Sequence, residues 1–103
     1  MPKGILLVQS RPSSPDDADT YHRWYDETHI PELLAVDGFT SARRMRAEDG
    51  ESFLAVYEVD DIAGAKAAMA SARAAGAMSP PQGLQLDPPP TVQWFTDLSD
   101  DGP

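Results

Sequence analysis

Cysteine is absent from this chain of 103 residues, which excludes a disulfide framework, a thiolate nucleophile and a cysteine-bound metal. Basic side chains are scarce as well, since 8 Lys and Arg stand against 17 Asp and Glu and the formal net charge is −9. Nucleic acids and anionic membrane surfaces are bound through basic patches. We therefore expect neither as a partner.

Long apolar runs are also missing at the N-terminus. The segment "MPKGILLVQS" has one Lys and only five apolar residues before Gln9. A signal peptide needs an apolar core of about 7–15 residues, and a membrane-spanning helix needs about 20. The sequence therefore predicts a cytoplasmic protein without a membrane segment.

The apolar pattern predicts six elements in the order β-α-β-β-α-β. They are a strand at 4–10, a helix at 15–36, strands at 39–47 and 52–59, a helix at 62–75 and a strand at 91–98. Ser14 before Pro15 is typical of a helix start, and "EDGE" is typical of a β-hairpin turn. This order predicts an α+β ferredoxin-like fold, in which two helices cover one face of a four-stranded antiparallel sheet. We expect one domain over 1–98 and a flexible polar tail at 99–103.

Both faces of the predicted sheet carry apolar side chains. In the first strand, Ile5 and Leu7 point one way and Leu6 and Val8 the other. Two helices can bury only one of these faces. The other would be an exposed apolar patch of several hundred Å² unless something covers it. A second copy of the chain, packed sheet against sheet, is the simplest cover, so we expect a homodimer.

The segment "YHRWYDETHIPELL", residues 21–34, holds both histidines of the chain. On a helix that turns by about 100° per residue, His22, Asp26 and His29 share one stripe and Trp24 lies on a different side. Pro31 removes one helical hydrogen bond, so we expect the helix to kink or loosen before it. The spacing argues against a metal ion shared by the two histidines, because they are about 10 Å apart along the axis and metal–nitrogen bonds are about 2.1 Å. His22 and Asp26 could share an ion only with ligands from elsewhere, so we expect no metal site.

The same segment carries a resemblance to a known family. The run "YHRWYDETHIPELLAVDGFTSARR", with a W-Y-x-x-x-H-x-P core and a "GF" strand start, resembles EthD-like members of the dimeric α/β-barrel superfamily, as does "FLAVYEVDD". The likeness extends over residues 3–97. It implies a dimer whose sheets face each other and a pocket between the sheet and helices of each subunit. Activities in this superfamily include cofactor-free oxygenation of aromatic polyketides, cyclisation, lactone isomerisation, dehydration and haem breakdown.

Histidine titrates near neutral pH, so His29 is our candidate for the general acid/base, with Asp26 orienting its ring. The resemblance supports His29, which fills the histidine of the family's H-x-P element. Further candidates for binding a substrate are polar or aromatic residues on the helix and the strands. They are His22, Tyr25, Arg43, Tyr57, Gln9 and Trp94. The proline-rich segment 77–90 is a candidate lid.

These features predict a cofactor-independent enzyme without a metal site. It would carry out proton-transfer chemistry, such as cyclisation, dehydration, isomerisation or decarboxylation, on a hydrophobic aromatic or polyketide-like carbonyl compound. Two alternatives remain open at this point: a cofactor-free monooxygenase, and a non-catalytic dimeric protein that binds a small ligand. A purely structural role for His29, ordering the kink, is also open.

Overall fold

The computed structural model describes residues 3–99, and its elements follow the predicted order β-α-β-β-α-β. The strands are β1 (Gly4–Ser10), β2 (Phe39–Arg46), β3 (Phe53–Val59) and β4 (Thr91–Thr96). The helices are α1 (Ala18–Trp24), α2 (Ile30–Leu34) and α3 (Ile62–Ala74). A 3-10 turn, Pro15–Asp17, precedes α1, and a π-helical turn, Tyr25–His29, joins α1 to α2. Of the predicted tail, 100–103 lies outside the described residues.

The four strands form one antiparallel sheet in the order β2-β3-β1-β4. The order of the strands is that of the ferredoxin-like fold, which confirms the predicted fold class. The helices cover the face that carries Leu6, Ala55 and Tyr57, and these side chains are buried in one core with Tyr21 and Leu33. We call this the helix face of the sheet.

Both helical regions begin where capping residues predict. The Ser14 hydroxyl accepts a hydrogen bond from the Asp17 amide at 3.3 Å, with Pro15 in the first position of the 3-10 turn. The Asp61 carboxylate accepts one from the Gly64 amide at 3.1 Å at the start of α3. Each contact satisfies an amide that has no partner inside its own helix.

The opposite face of the sheet, which we call the outer face, carries a continuous apolar surface. Leu7 of β1 lies between Val56 of β3 and Gln93 of β4 in the strand register. Six apolar side chains point to this face: Ile5, Leu7, Met45, Leu54, Val56 and Phe95. None of the six is fully buried, and Met45 and Phe95 are 39% and 43% exposed.

A β-bulge in β2 decides which arginine points to which face. The pairing with β3 shifts between Phe39 and Ser41, so one extra residue separates Phe39 from the rest of the strand. Phe39 is buried in the core of the helix face, yet Arg43 pairs with Val56 and points to the outer face. Arg44 pairs with the buried Ala55 and points to the helix face. Simple alternation from Phe39 would place Arg43 on the helix face, but a bulge changes the parity of every residue after it.

None of the helices within residues 3–99 combines the length and the apolar character that crossing a bilayer requires.

Candidate functional site

A single π-helical turn shapes the segment around His29. The Ile30 amide donates to the Tyr25 carbonyl, five residues back, in place of the four-residue spacing of an α-helix. The turn lies directly before Pro31, whose ring would press against the Glu27 carbonyl in a regular helix. Widening the turn by one residue relieves this contact. The predicted loosening before Pro31 is confirmed, and it takes the form of an inserted residue.

The wide turn brings Trp24 and His29 together. Their rings stack with centroids 4.4 Å apart and planes 19° from parallel. In a regular α-helix, residues five apart point about 140° away from each other, so this stack needs the π-helical spacing. The prediction that Trp24 lies on a different side from His29 is therefore wrong.

His22 and Asp26 lie on another side of the segment, around Arg44. One guanidinium nitrogen of Arg44 is 3.1 Å from His22 Nδ1, and the other donates to Asp26 at 3.3 Å. The Asp26 side chain is 60% exposed and its partner is Arg44. The structure thus separates His22 and Asp26 from His29, and the predicted orientation of the His29 ring by Asp26 has no counterpart in the contacts.

The Arg44 guanidinium also packs against the rings of Tyr21 and Tyr25. It lies 4.6 Å from the centroid of the Tyr25 ring and 5.4 Å from that of Tyr21. The hydroxyls of both tyrosines contact the buried Ser10 hydroxyl, at 2.7 Å for Tyr21 and 3.3 Å for Tyr25. These contacts hold Tyr25 between Arg44 on one side and His29, at a centroid distance of 5.3 Å, on the other.

His29 and Tyr25 face a cavity of about 430 Å³ between the helix face of the sheet and the helices. This volume is within the range of small-molecule sites. The sheet contributes Leu6, Val8 and Val92, the helical segments Trp24, Tyr25, His29, Leu33, Met69 and Arg73, and the following loop Met78, Ser79, Pro81, Leu84 and Pro90. The lining is therefore apolar and aromatic, with few polar groups.

Within residues 3–99, three buried polar side-chain atoms have no hydrogen-bond partner, and all three belong to the aromatic cluster around His29. They are Trp24 Nε1, His29 Nδ1 and Tyr57 Oη. An unpaired buried polar atom costs about 1–3 kcal/mol. Two of these residues line the cavity, while Tyr57 lies behind His29 with ring centroids 6.4 Å apart. Such unpaired groups beside an apolar cavity are typical of a binding site.

Burial controls the charge of His29. It lowers the pKa of the imidazole to about 4, the nearby Glu32 carboxylate opposes this shift and Arg73 adds to it. His29 is therefore neutral at pH 7, with one ring nitrogen able to donate and the other able to accept. Burial also raises the pKa of the Tyr57 and Tyr25 hydroxyls, so both stay protonated.

The loop between α3 and β4 covers the cavity and is anchored both to α2 and to the segment before α1. The Ser79 amide and hydroxyl donate to the two oxygens of Glu32, at 2.9 and 2.6 Å. Further along, the Gly83 carbonyl accepts from the Ser13 amide at 2.8 Å. Gly83 has a φ of +71°, and a Cβ there would lie 2.8 Å from the Tyr21 backbone nitrogen. Only glycine fits this close approach of the loop to α1 without displacement.

The remaining predicted binding residues lie away from the cavity. Gln9 donates to Ser52 at 3.1 Å on the outer-face side of β1, and Arg43 also points to that face. Trp94 is half-buried in the core, where the Lys66 ammonium lies 5.3 Å from its ring centroid. The structure does not bring these residues together with His29. Across residues 3–99, no three histidine or acidic side chains are grouped closely enough to hold a metal ion.

A second hollow, of about 480 Å³, lies at the end of the sheet near Lys3 and Asp97. It is slightly larger than the His29 cavity. None of the unpartnered buried polar atoms of residues 3–99 faces it, and its charged lining includes the carboxylates of Glu58 and Asp60. The cavity beside His29 is therefore the better candidate site.

A search of solved structures finds a monooxygenase from the gene ActVA-Orf6 of Streptomyces coelicolor, in complex with the ligand Nanaomycin D. The TM-score is 0.62 with 19% sequence identity, over 91% of this chain and 87% of that one. The chain has the fold of the dimeric α/β barrels. No protein-family model matches the chain, and no curated protein matches it. Membership of the EthD-like family stays a prediction.

Sequence reasoning missed several residues that line the cavity. Trp24 was missed because regular helical spacing separates it from His29. Arg73 and Ser79 were missed because they lie far from the histidines in sequence, and only the packing of α3 and its loop brings them close. The pairing of Pro31 with a histidine two residues earlier was the available signal for an irregular helix.

The lowered pKa of His29 predicts a specific dependence of stability on pH. Between pH 7 and pH 5, His29 in the unfolded chain takes up a proton, because its pKa there has the ordinary value of 6.5. In the folded protein it stays neutral over this range. Stability therefore falls as the pH falls, by about 2 kcal/mol from this residue. We expect His29→Gln to lose less stability than the unchanged protein between pH 7 and pH 5, by this amount. Urea unfolding at the two pH values, at one protein concentration, measures the free energy of unfolding of each protein. An equal loss in both proteins would contradict the prediction.

Proposed function

We propose that the chain is a cofactor-independent enzyme that moves a proton on a hydrophobic aromatic or polyketide-like carbonyl compound held in the cavity. One observation carries the proposal: His29 is neutral at pH 7, and its buried Nδ1 has no protein partner beside an apolar cavity. An unpaired imidazole nitrogen in such a place can accept a proton from a bound molecule.

The stacked pair of Trp24 and His29 favours a flat ligand. Aromatic rings pack well against such a pair, and a ligand in this position lies within reach of the His29 ring. A base with a pKa of about 4 is weak, so it suits a substrate whose proton is already acidic, such as a phenol or a dicarbonyl compound. Once protonated, His29 is a stronger acid than usual. It can therefore return its proton to a leaving hydroxide or a new carbonyl, as dehydration and cyclisation require.

Oxyanion stabilisation would come from the polar groups around this pair. Of the residues predicted to bind the substrate, Tyr25 lines the cavity and keeps its proton, so its hydroxyl can donate to a developing oxyanion. Tyr57 lies one layer behind. Arg43 points to the outer face, so we do not include it in the site.

Cofactor-free oxygenation is a second candidate. The observation that favours it is the likeness in fold to the ActVA-Orf6 monooxygenase. The same removal of a proton by His29 would produce an electron-rich anion that can react with dioxygen. A non-catalytic protein that uses the same cavity to bind a ligand is the third candidate.

We also propose that the chain works as a homodimer joined through the outer faces of two sheets. The apolar outer face supports this, because the helices within residues 3–99 pack on the opposite face. The loop 77–90 would act as a lid, since five of its residues line the cavity and the Glu32–Ser79 contact holds it closed.

The proposal is tested by the exchange of hydrogen for deuterium in a simple ligand. We expect the protein to accelerate exchange of the acidic methylene protons of ethyl 2-naphthoylacetate, a dicarbonyl compound, in D2O above the buffer rate, as followed by proton NMR. Exchange reports removal of the proton next to the carbonyl, whatever reaction follows. Binding without exchange would favour the non-catalytic candidate. Oxygen uptake with hydroxylated naphthalenes would favour the monooxygenase, and a lack of binding would contradict all three.

A further inference from the structure

Arg73 is the one charged side chain, apart from the titratable His29, among the described residues that line the cavity. No carboxylate among residues 3–99 lines it, although the chain has 17 acidic residues and a net charge of −9. The charged lining of the cavity is thus a cation in a protein with a net negative charge. Such a contrast is a basis for attracting an anion to one place on the surface.

The Arg73 guanidinium has no ion-pair partner among residues 3–99, unlike Arg23, which pairs with Glu27, and Arg44, which pairs with Asp26. Glu32 is the acid that acts on the charge of His29, in the direction opposite to Arg73. Both oxygens of Glu32 are held by Ser79, at 2.9 and 2.6 Å. The loop therefore binds Glu32, the neighbouring acid, through Ser79. Arg73 is left able to bind an anion in the cavity.

Arg73 also lies in the last turn of α3, where a positive charge stabilises the helix end. That role needs only a charge and does not require a particular side-chain shape. A guanidinium can in addition form two parallel hydrogen bonds with a carboxylate, which an ammonium cannot. The two roles can therefore be separated by comparing arginine with lysine.

We propose that the ligand of this cavity is an aromatic carboxylate, with its carboxylate bound by Arg73 at the mouth and its rings beside Trp24 and His29. This inference rests on the proposed function, since it concerns the ligand of the same cavity. It narrows the ligand from any flat carbonyl compound to one with an anionic group at one end. It also makes Arg73 a residue that determines specificity.

The test compares matched acids and amides of two sizes: 2-naphthoic acid with 2-naphthamide, and anthracene-2-carboxylic acid with its amide. Isothermal titration calorimetry gives the Kd of each for the unchanged protein, Arg73→Lys and Arg73→Gln. We expect the unchanged protein to prefer the acid by about tenfold, because charge-assisted bidentate hydrogen bonds are strong. Arg73→Gln should lose the preference and keep its affinity for the amide. Arg73→Lys should retain only part of the preference.

Each outcome separates this inference from the proposed function. Equal affinity for acid and amide, or a preference that survives in Arg73→Gln, overturns the role of Arg73 while the cavity stands. Binding of neither compound at either size overturns the proposed function, and the inference falls with it. Added salt should weaken the preference for the acid, because Arg73 is exposed to solvent. A preference independent of salt would also count against Arg73.

Discussion

Replacing His29 by Gln is expected to lower the rate of proton exchange in a bound aromatic ketone by about 10²–10⁴-fold, the usual contribution of a positioned acid or base. The physical reason is that Gln keeps hydrogen-bonding atoms but cannot accept a proton at neutral pH. Exchange of the methylene protons of ethyl 2-naphthoylacetate, followed by NMR at saturating ligand, measures the effect on the catalytic step separately from binding.

His22→Gln is the matched control for this variant. Both histidines lie on the same helical segment, but His22 contacts Arg44 through Nδ1 and does not line the cavity. We expect exchange by His22→Gln to stay within a few-fold of the unchanged protein. Equal losses in both variants would indicate damage to the helix, and an unchanged rate in His29→Gln would refute its role.

The His29 variant should remain folded. His29 Nδ1 is buried without a partner, so replacing the ring does not break a hydrogen bond of that atom. The ring does stack on Trp24, and some packing is lost with it. Circular dichroism and the urea midpoint at pH 7 check this point. A loss of activity with native stability assigns the effect to chemistry.

A charge in the centre of the outer face is expected to dissociate the dimer. Val56 pairs with Leu7 on one side and Arg43 on the other, so Val56→Arg places two guanidinium groups side by side in the proposed interface. Burying an unpaired charge costs several kcal/mol. Sedimentation at micromolar concentration should show twice the chain mass of 11.2 kDa for the unchanged protein and 11.2 kDa for the variant.

Ala67→Arg is the control for this charge. Ala67 lies on α3, on the other side of the sheet, and is exposed. Its substitution adds the same side chain away from the proposed interface and should leave the dimer intact. An unchanged protein that sediments as a monomer, or a Val56→Arg variant that remains dimeric, would refute the proposed interface.

Local signals in the sequence were sufficient for the fold. Ser14 and Asp61 cap their helices through contacts only three residues away. Gly50 adopts a positive φ of 76° in the predicted hairpin turn. Period-two alternation located the four strands, although β4 ends at Thr96, two residues before the predicted end at Leu98. These features depend on near neighbours in the chain, which a sequence displays directly.

The site was harder to predict because two one-residue irregularities change which side chains meet. The π-helical turn at Tyr25–His29 moves His29 away from Asp26 and against Trp24. The bulge in β2 exchanges the faces of Arg43 and Arg44. A regular period of 3.6 or 2 assigns every later residue incorrectly once a residue is inserted.

Composition, spacing and capping were sufficient for the order of elements, for the two apolar faces of the sheet and for the choice of the segment around His29 as a candidate site. These are properties of neighbouring residues. The set of residues that line the cavity does not follow from these properties. Arg73 and Ser79 join His29 only through the packing of α3 and its loop onto the sheet. The charge of His29 depends on the same packing, since burial is the main cause of its low pKa. Contacts between distant segments and the exclusion of water arise only when the chain is folded.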